Sequence, residues 1–303
     1  MLTRRQVIQL GASMLALGCA SLRAASELAL NQRAIPSSGE LLPVIGMGSS
    51  RTFDMAGSAE AVANLTSVMQ AFFGGKGTVI DSSPMYGDAE SRIGDVLRGM
   101  SPQPEIFAAT KVWTRGREQG IAQMQASARR MNVKRFDLIA VHNLEDWKTQ
   151  LNTLERWKAE GKLRYIGITT SHGRSHGELL DIMRTRPVDF VQFSYNIGNR
   201  DAERDLLPLA QERGIATMIN RPYQRGNLFR VSRGKALPAM ARDIDCNSWG
   251  QFYLKFILSH PAVTCVIPAT SKPKHMLDNM QANFGRLPDQ RQRAEMLQFF
   301  EAL

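Results

Sequence analysis

From about residue 43 onward the chain alternates short apolar runs with longer stretches whose apolar positions recur at helical spacing. Eight runs stand out, at 43–48, 78–81, 106–110, 138–141, 165–169, 190–193, 216–220 and 264–268. Nearly continuous apolar runs of this length suit strands buried on both faces, the condition of a parallel sheet covered by helices. Between them, residues 59–73 place Val62, Leu65, Met69 and Phe72 on one helical face. Leu206, Leu209 and Ala210 repeat the pattern just before Gly214, a natural helix C-cap, and 289–303 reads as a last helix packed outside. Eight strand–helix alternations predict an α/β protein, a single (β/α)8 TIM barrel. Ahead of them, 28–30 and 35–42 form a hairpin with its turn at Ser38-Gly39, suited to plug the barrel's bottom. A doubly wound sheet is the alternative, but Gly46-Met47-Gly48-Ser49-Ser50-Arg51 after the first run is not a dinucleotide-binding glycine turn.

The polar residues that end these runs carry the chemistry. Asp81 closes the second run, with Tyr86 in the loop beyond it; Lys111 follows the third run and His142 the fourth. In a parallel barrel the C-terminal strand ends converge on one face, where reacting groups are displayed. A phenol there can give a proton to a carbonyl oxygen, yet its ordinary pKa near ~10 is high for acid work at neutral pH. A neighbouring Lys111 ammonium is expected to lower it, with Asp81 aiming the ammonium and His142 orienting the substrate oxygen. After the last run, Thr270-Ser271-Lys272-Pro273 offers hydroxyls, amides and a cation ahead of a helix, which suits an anion. Met47, Met85 and Trp113, with Tyr195 and Asn196, fall at predicted strand tops and are candidates for an apolar substrate wall.

Taken in order, these stretches resemble the aldo-keto reductase family. The matching segments are Val79-Ile80-Asp81-Ser82-Ser83-Pro84-Met85-Tyr86-Gly87, Ala108-Ala109-Thr110-Lys111-Val112, Asp137-Leu138-Ile139-Ala140-Val141-His142, Ile166-Gly167-Ile168-Thr169-Thr170, and Ile267-Pro268-Ala269-Thr270-Ser271-Lys272-Pro273 running to Asn279. The resemblance implies reduction of aldehydes or ketones with a nicotinamide dinucleotide, Tyr86 acting as the acid. It assigns Thr169, Thr170 and Gln192 to the nicotinamide amide, Thr270, Ser271 and Lys272 to the adenosine phosphate, and Asn279 to the adenine. Two departures matter. Asn220, followed by Arg221, stands where many relatives stack an aromatic ring on the nicotinamide. His275 stands where an Arg often grips the 2′-phosphate, and Ala269 replaces a frequent Lys. NADP(H) is expected to be favoured over NAD(H), with no metal: His172 and His176 have no ligand partners at suitable spacing. The chain ends soon after its last helix, without the long C-terminal loop that narrows the pocket in some relatives, so an open, loosely selective site is expected; the protein is also expected to be a monomer. A cofactor-binding sensor or regulatory partner subunit with little turnover is the second reading, disfavoured by the complete Asp81, Tyr86, Lys111 and His142 set. A barrel hydrolase needs a metal or carboxylate pair that the strand ends lack.

Composition adds two points. A formal net charge of +10 raises the question of nucleic acid, but the basic residues are scattered and no recognition motif accompanies them, so no nucleic-acid partner is expected. Residues 1–24 read as a leader: Arg4-Arg5 precede a short apolar stretch from Leu10 to Ala20, as in twin-arginine signals. The division is then signal at 1–24 and barrel at 25–303, the protein engaging the twin-arginine export machinery and residing in the periplasm or outside. Ala16-Leu17-Gly18-Cys19 is a poor lipobox, so a lipid anchor at Cys19 is the less favoured outcome. Cys246 and Cys265 then remain, too few for a disulfide framework.

Overall fold

The computed structural model describes residues 28–303 apart from Ala56, His172 and Arg174. Residues 1–24, expected from sequence to be an export leader, lie outside the described residues. The first strands, β1 (Gln32–Ala34) and β2 (Leu41–Pro43), pair antiparallel. The hairpin is therefore present, but its first arm is Gln32–Ala34 rather than 28–30. Leu30 instead bridges to Phe284, and Asn31 donates its N–H to the Asn283 carbonyl.

Eight parallel strands follow: β3 (Met47–Gly48), β4 (Val79–Asp81), β5 (Phe107–Val112), β6 (Leu138–His142), β7 (Tyr165–Thr169), β8 (Phe190–Ser194), β9 (Ala216–Asn220) and β10 (Cys265–Val266). They are hydrogen-bonded in sequence order from β3 to β10. Parallel bridges between Ile45 and Val266 and between Gly48 and Ala269 close the circle. A Cβ at Gly48 would stand 2.8 Å from the Ile267 carbonyl oxygen, so this seam requires glycine. The fold is the (β/α)8 barrel that the apolar alternation predicts.

The helices that cover it are α1 (Ala59–Gly74), α2 (Ala89–Gly99), α3 (Arg117–Met131), α4 (Trp147–Ala159), α5 (His176–Thr185), α6 (Leu206–Arg213), α7 (Asn227–Val231), α8 (Trp249–Leu258), α9 (Pro273–Gln281) and α10 (Gln290–Glu301). On α1 the predicted face is inward: Leu65, Met69 and Phe72 are buried. Gly214 caps α6 in the left-handed conformation, and Asp289 opens α10 with a reciprocal capping box to Gln292.

Strand alternation creates two apolar layers. Ile80, Ile139, Ile166, Ile168, Val191 and Ile219 point outward against the helices. Val79, Phe107, Leu138, Tyr165, Phe190, Ala216 and Cys265 point inward and meet Ile35 and Leu42 of the hairpin. The hairpin thus does plug the barrel. Arg164 ties it down further, pairing with Glu40 and with Asp137, while the Tyr165 hydroxyl donates to Glu40 Oε2 at 2.6 Å.

Candidate active site

Two residues along the same inward alternation, the filling changes from apolar to polar. Val79 gives way to Asp81, Ala109 to Lys111, Phe190 to Gln192 and Met218 to Asn220; on β6 and β7, His142 and Thr169 lie four positions beyond Leu138 and Tyr165. Period two along a strand brings all of them to the C-terminal end of the barrel interior.

Lys111 is fully buried, and its ammonium donates to Asp81 Oδ1 (2.8 Å), Asp81 Oδ2 (2.7 Å) and the Ser82 carbonyl (2.8 Å). Its charge survives burial: desolvation opposes it, but Asp81 and Tyr86 together hold the pKa above the usual lysine value. The ammonium lies 5.2 Å from the Tyr86 ring centre and interacts with the phenol. Gln192 extends the network, donating to Asp81 Oδ1 (3.2 Å) and accepting from Thr169 Oγ1 (3.1 Å). Asp81 is therefore aimed from two sides.

His142 meets Tyr86 edge-on, ring centres 5.7 Å apart. Its Nδ1 lies 2.9 Å from Ser83 Oγ, which also accepts the Met85 N–H at 3.2 Å. Burial and the Lys111 charge push its pKa down from 6.5 to about 3, so the ring is neutral at physiological pH. Tyr86 departs from expectation. Lys111 does lower its pKa, but desolvation acts more strongly the other way, and the net shift is upward. The phenol is thus held protonated, with the stabilising cation beside it.

The cofactor candidates gather at adjoining strand ends. Asn220 accepts from Ser194 Oγ (2.6 Å) and donates to the Thr170 carbonyl (3.1 Å). The Arg221 backbone is left-handed, and its carbonyl accepts from buried Asn196 (3.0 Å). The Thr170 hydroxyl is buried with no hydrogen-bond partner. Thr270 Oγ1 accepts the Lys272 N–H (3.1 Å), and Lys272 is the N-cap of α9, with Pro273 as its first residue. Lys272 and His275 are exposed on that corner. Asn279, one helical turn on and buried, accepts from the Tyr223 hydroxyl at 2.6 Å, which ties α9 to the loop after β9.

Of the substrate-wall candidates, Met85 and Trp113 are 45% and 40% exposed, and the Trp113 ring centre lies 6.4 Å from that of His142. Met47 does not belong with them. Gly46 and Gly48 take the inward positions of β3, leaving Met47 buried in the outer layer with Ile80 and helix residues. Tyr195 is also core, with its hydroxyl 2.6 Å from Glu203 Oε1. Among the described residues no group of three or more His, Cys, Asp or Glu is placed to hold a metal, and His172 lies outside them. Ser83 and Tyr223 carry contacts that no local sequence signal announces, because each partner is more than fifty residues away.

A family model for the aldo/keto reductases matches residues 44–294. The chain is 27% identical over 260 residues to methylglyoxal reductase YeaE of Escherichia coli, covering 82% of this chain and 89% of that protein. It is 30% identical over 159 residues to an uncharacterized oxidoreductase of Schizosaccharomyces pombe, covering 52% and 50% respectively. An aldo-keto reductase from Klebsiella pneumoniae solved with NADPH superposes with a TM-score of 0.73 at 22% identity, over 90% of this chain and 96% of that one. A second Klebsiella structure, with NADP and acetate, gives 0.70 at 23%, over 86% and 93%. With a match that spans most of its length, the chain belongs to the aldo/keto reductase family.

Proposed function

We propose that this protein reduces aldehydes or ketones to alcohols with a reduced nicotinamide dinucleotide, Tyr86 acting as general acid. The observation that carries the reading is the buried Asp81–Lys111 pair set directly against the Tyr86 phenol and the neutral His142 ring. Tyr86 keeps its proton until a carbonyl oxygen needs it, and Lys111 stabilises the phenolate left behind. Asp81 keeps that ammonium charged and aimed, and Gln192 keeps Asp81 in place. In the tautomer in which Ser83 Oγ–H donates to Nδ1, neutral His142 carries its proton on Nε2 and can hydrogen-bond the same substrate oxygen.

The residues present fit a dinucleotide. Thr170 offers a buried hydroxyl that lacks a partner at the strand end where a carboxamide would sit. Thr270 and Ser271 give hydroxyls, Lys272 an ammonium and His275 an imidazole at the α9 N-terminus for a phosphate, and Asn279, with its Oδ1 taken by Tyr223, leaves its amide NH2 for a base. When bound, the reduced nicotinamide supplies the hydride. The solved relatives carrying NADP or NADPH support the choice of NADP(H), and the name of the Escherichia coli relative makes methylglyoxal one compound to include beside aromatic and aliphatic aldehydes. A panel of aldehydes and ketones with NADPH and with NADH, followed by absorbance, tests this. Turnover should favour NADPH, and Lys272→Ala should narrow the preference about tenfold. No turnover with any carbonyl would overturn the reading in favour of a regulatory, cofactor-binding role. The export reading, supported by Arg4-Arg5 ahead of the short apolar stretch, is likewise proposed; cytoplasmic retention of the native chain on fractionation would contradict it.

A further inference from the structure

The loop after β5 carries Trp113 and is held by side chains from two other elements. Both main-chain polar groups of Trp113 are taken by one amide on α3: its N–H donates to Gln123 Oε1 (2.6 Å), and its carbonyl accepts from Gln123 Nε2 (3.0 Å). The next residues are clamped from α4. Gln150 Nε2 donates to the carbonyls of Thr114 (3.1 Å) and Gly116 (3.0 Å), and the Gly116 N–H donates to Asp146 Oδ2 (2.8 Å). Arg115 pairs with Glu145 outside.

Gln150 is the unusual member. It is completely buried, its amide nitrogen is spent on two loop carbonyls, and its Oε1 has no hydrogen-bond partner. That oxygen lies 2.2 Å from where a Cβ on Gly120 would stand, so only glycine at 120 leaves room for it. A buried unsatisfied oxygen is costly, and an apolar side chain of the same size would avoid the cost. Its remaining role is to hold the loop. Asp146 and Gln150 also follow His142 directly, through Asn143, Leu144 and Asp146, all in left-handed conformations that cost free energy unless the surroundings enforce them. The loops bearing His142 and Trp113 are therefore fastened to each other, and Met85 joins them through Ser83.

We infer that Gln150 is a positioning residue for substrate selection: through loop 113–116 it fixes the Trp113 indole as a rigid wall beside His142, so that carbonyls bearing a flat apolar group are preferred over small aliphatic ones. This rests on the carbonyl-reductase reading for its substrate, but not for its mechanics. A preorganised wall takes up a planar group without a further ordering cost.

Gln150→Met keeps the length and removes both donors. Hydrogen exchange measured on the holoprotein should show amides 113–116 exchanging about tenfold faster or more, with exchange in β5 and β6 unchanged. In turnover, kcat/KM for benzaldehyde should fall about tenfold through KM, while that for propanal stays within about twofold. In a Trp113→Leu background the same substitution should have no further effect on benzaldehyde, because the wall it positions is gone. Gln123→Met, on a half-exposed helix face, provides the same tests should Gln150→Met fail to fold. Unchanged loop exchange overturns the inference whether or not the protein reduces carbonyls. Equal losses for both aldehydes, or an undiminished effect in Trp113→Leu, also overturn it. A wild-type protein without turnover but with the predicted exchange change would sink the carbonyl reading and leave the clamp standing.

Discussion

At the lower end of the barrel interior, Phe107, Tyr165 and Phe190 pack on one another with ring centres under 6 Å apart, sealed by Ile35 and Leu42. At the upper end, further along the same strands, stand Asp81, Lys111, His142, Thr169 and Gln192, all buried. The lower layer gains free energy directly from removing apolar surface from water. The upper layer buries charge, which contributes little net stability even when paired as well as Lys111 and Asp81 are. One set of strands thus provides a stabilising floor and a costly reactive ceiling.

The difference can be broken from either end. The largest effect is expected for Lys111→Met, which strands the Asp81 carboxylate without its partner. It should cost about 3–5 kcal/mol of stability, read by urea unfolding, and also abolish most turnover. Phe190→Ala should cost a comparable or slightly smaller ~3–5 kcal/mol by opening a cavity in the floor. The fraction that stays folded should nevertheless turn over normally, since no polar contact of the upper end is removed. A smaller effect concerns acid. His142 is neutral in the folded state down to about pH 3, whereas in the unfolded chain it takes up a proton near 6.5. Its contribution is complete above about 6.5 and is lost as pH falls through that window toward 3. Urea titrations at neutral pH and near pH 4.5 should therefore show a smaller acid-side loss in His142→Gln than in the wild type.

Much of the upper layer is legible in the sequence because its side chains are the next inward positions of recognisable apolar runs. Asp81, Lys111 and His142 follow from the run ends, whereas Gln192 is singled out by the family resemblance. Met47 shows where that reasoning fails: in a strand only two residues long the run does not announce its parity, and Gly46 and Gly48 take the inward places. Tyr195 fails for a related reason, since its hydroxyl is satisfied by Glu203 inside the helical layer rather than at the mouth. The hairpin's first arm is displaced because 28–30 is apolar enough to look like a strand, yet Leu30 and Asn31 pair with Phe284 and Asn283. The direction of the Tyr86 shift lay beyond sequence altogether. Proximity to Lys111 is implied by order along the chain, but the desolvation that outweighs it depends on the tertiary packing around the phenol. The clamp on Trp113 was equally hidden, resting on Gln123 and Gln150 contacts to main-chain atoms.

The most direct test of the account is the same substitution made at both ends of the barrel. Tyr86→Phe and Tyr165→Phe each remove one hydroxyl and keep the ring. Tyr86→Phe should lower kcat by ~10²–10⁴-fold while its unfolding curve and cofactor affinity stay in place. Tyr165→Phe, losing its hydrogen bond to Glu40, should instead lose about 1–2 kcal/mol of stability at nearly unchanged kcat. Near-normal turnover by Tyr86→Phe, or a comparable loss of rate in Tyr165→Phe, would contradict it.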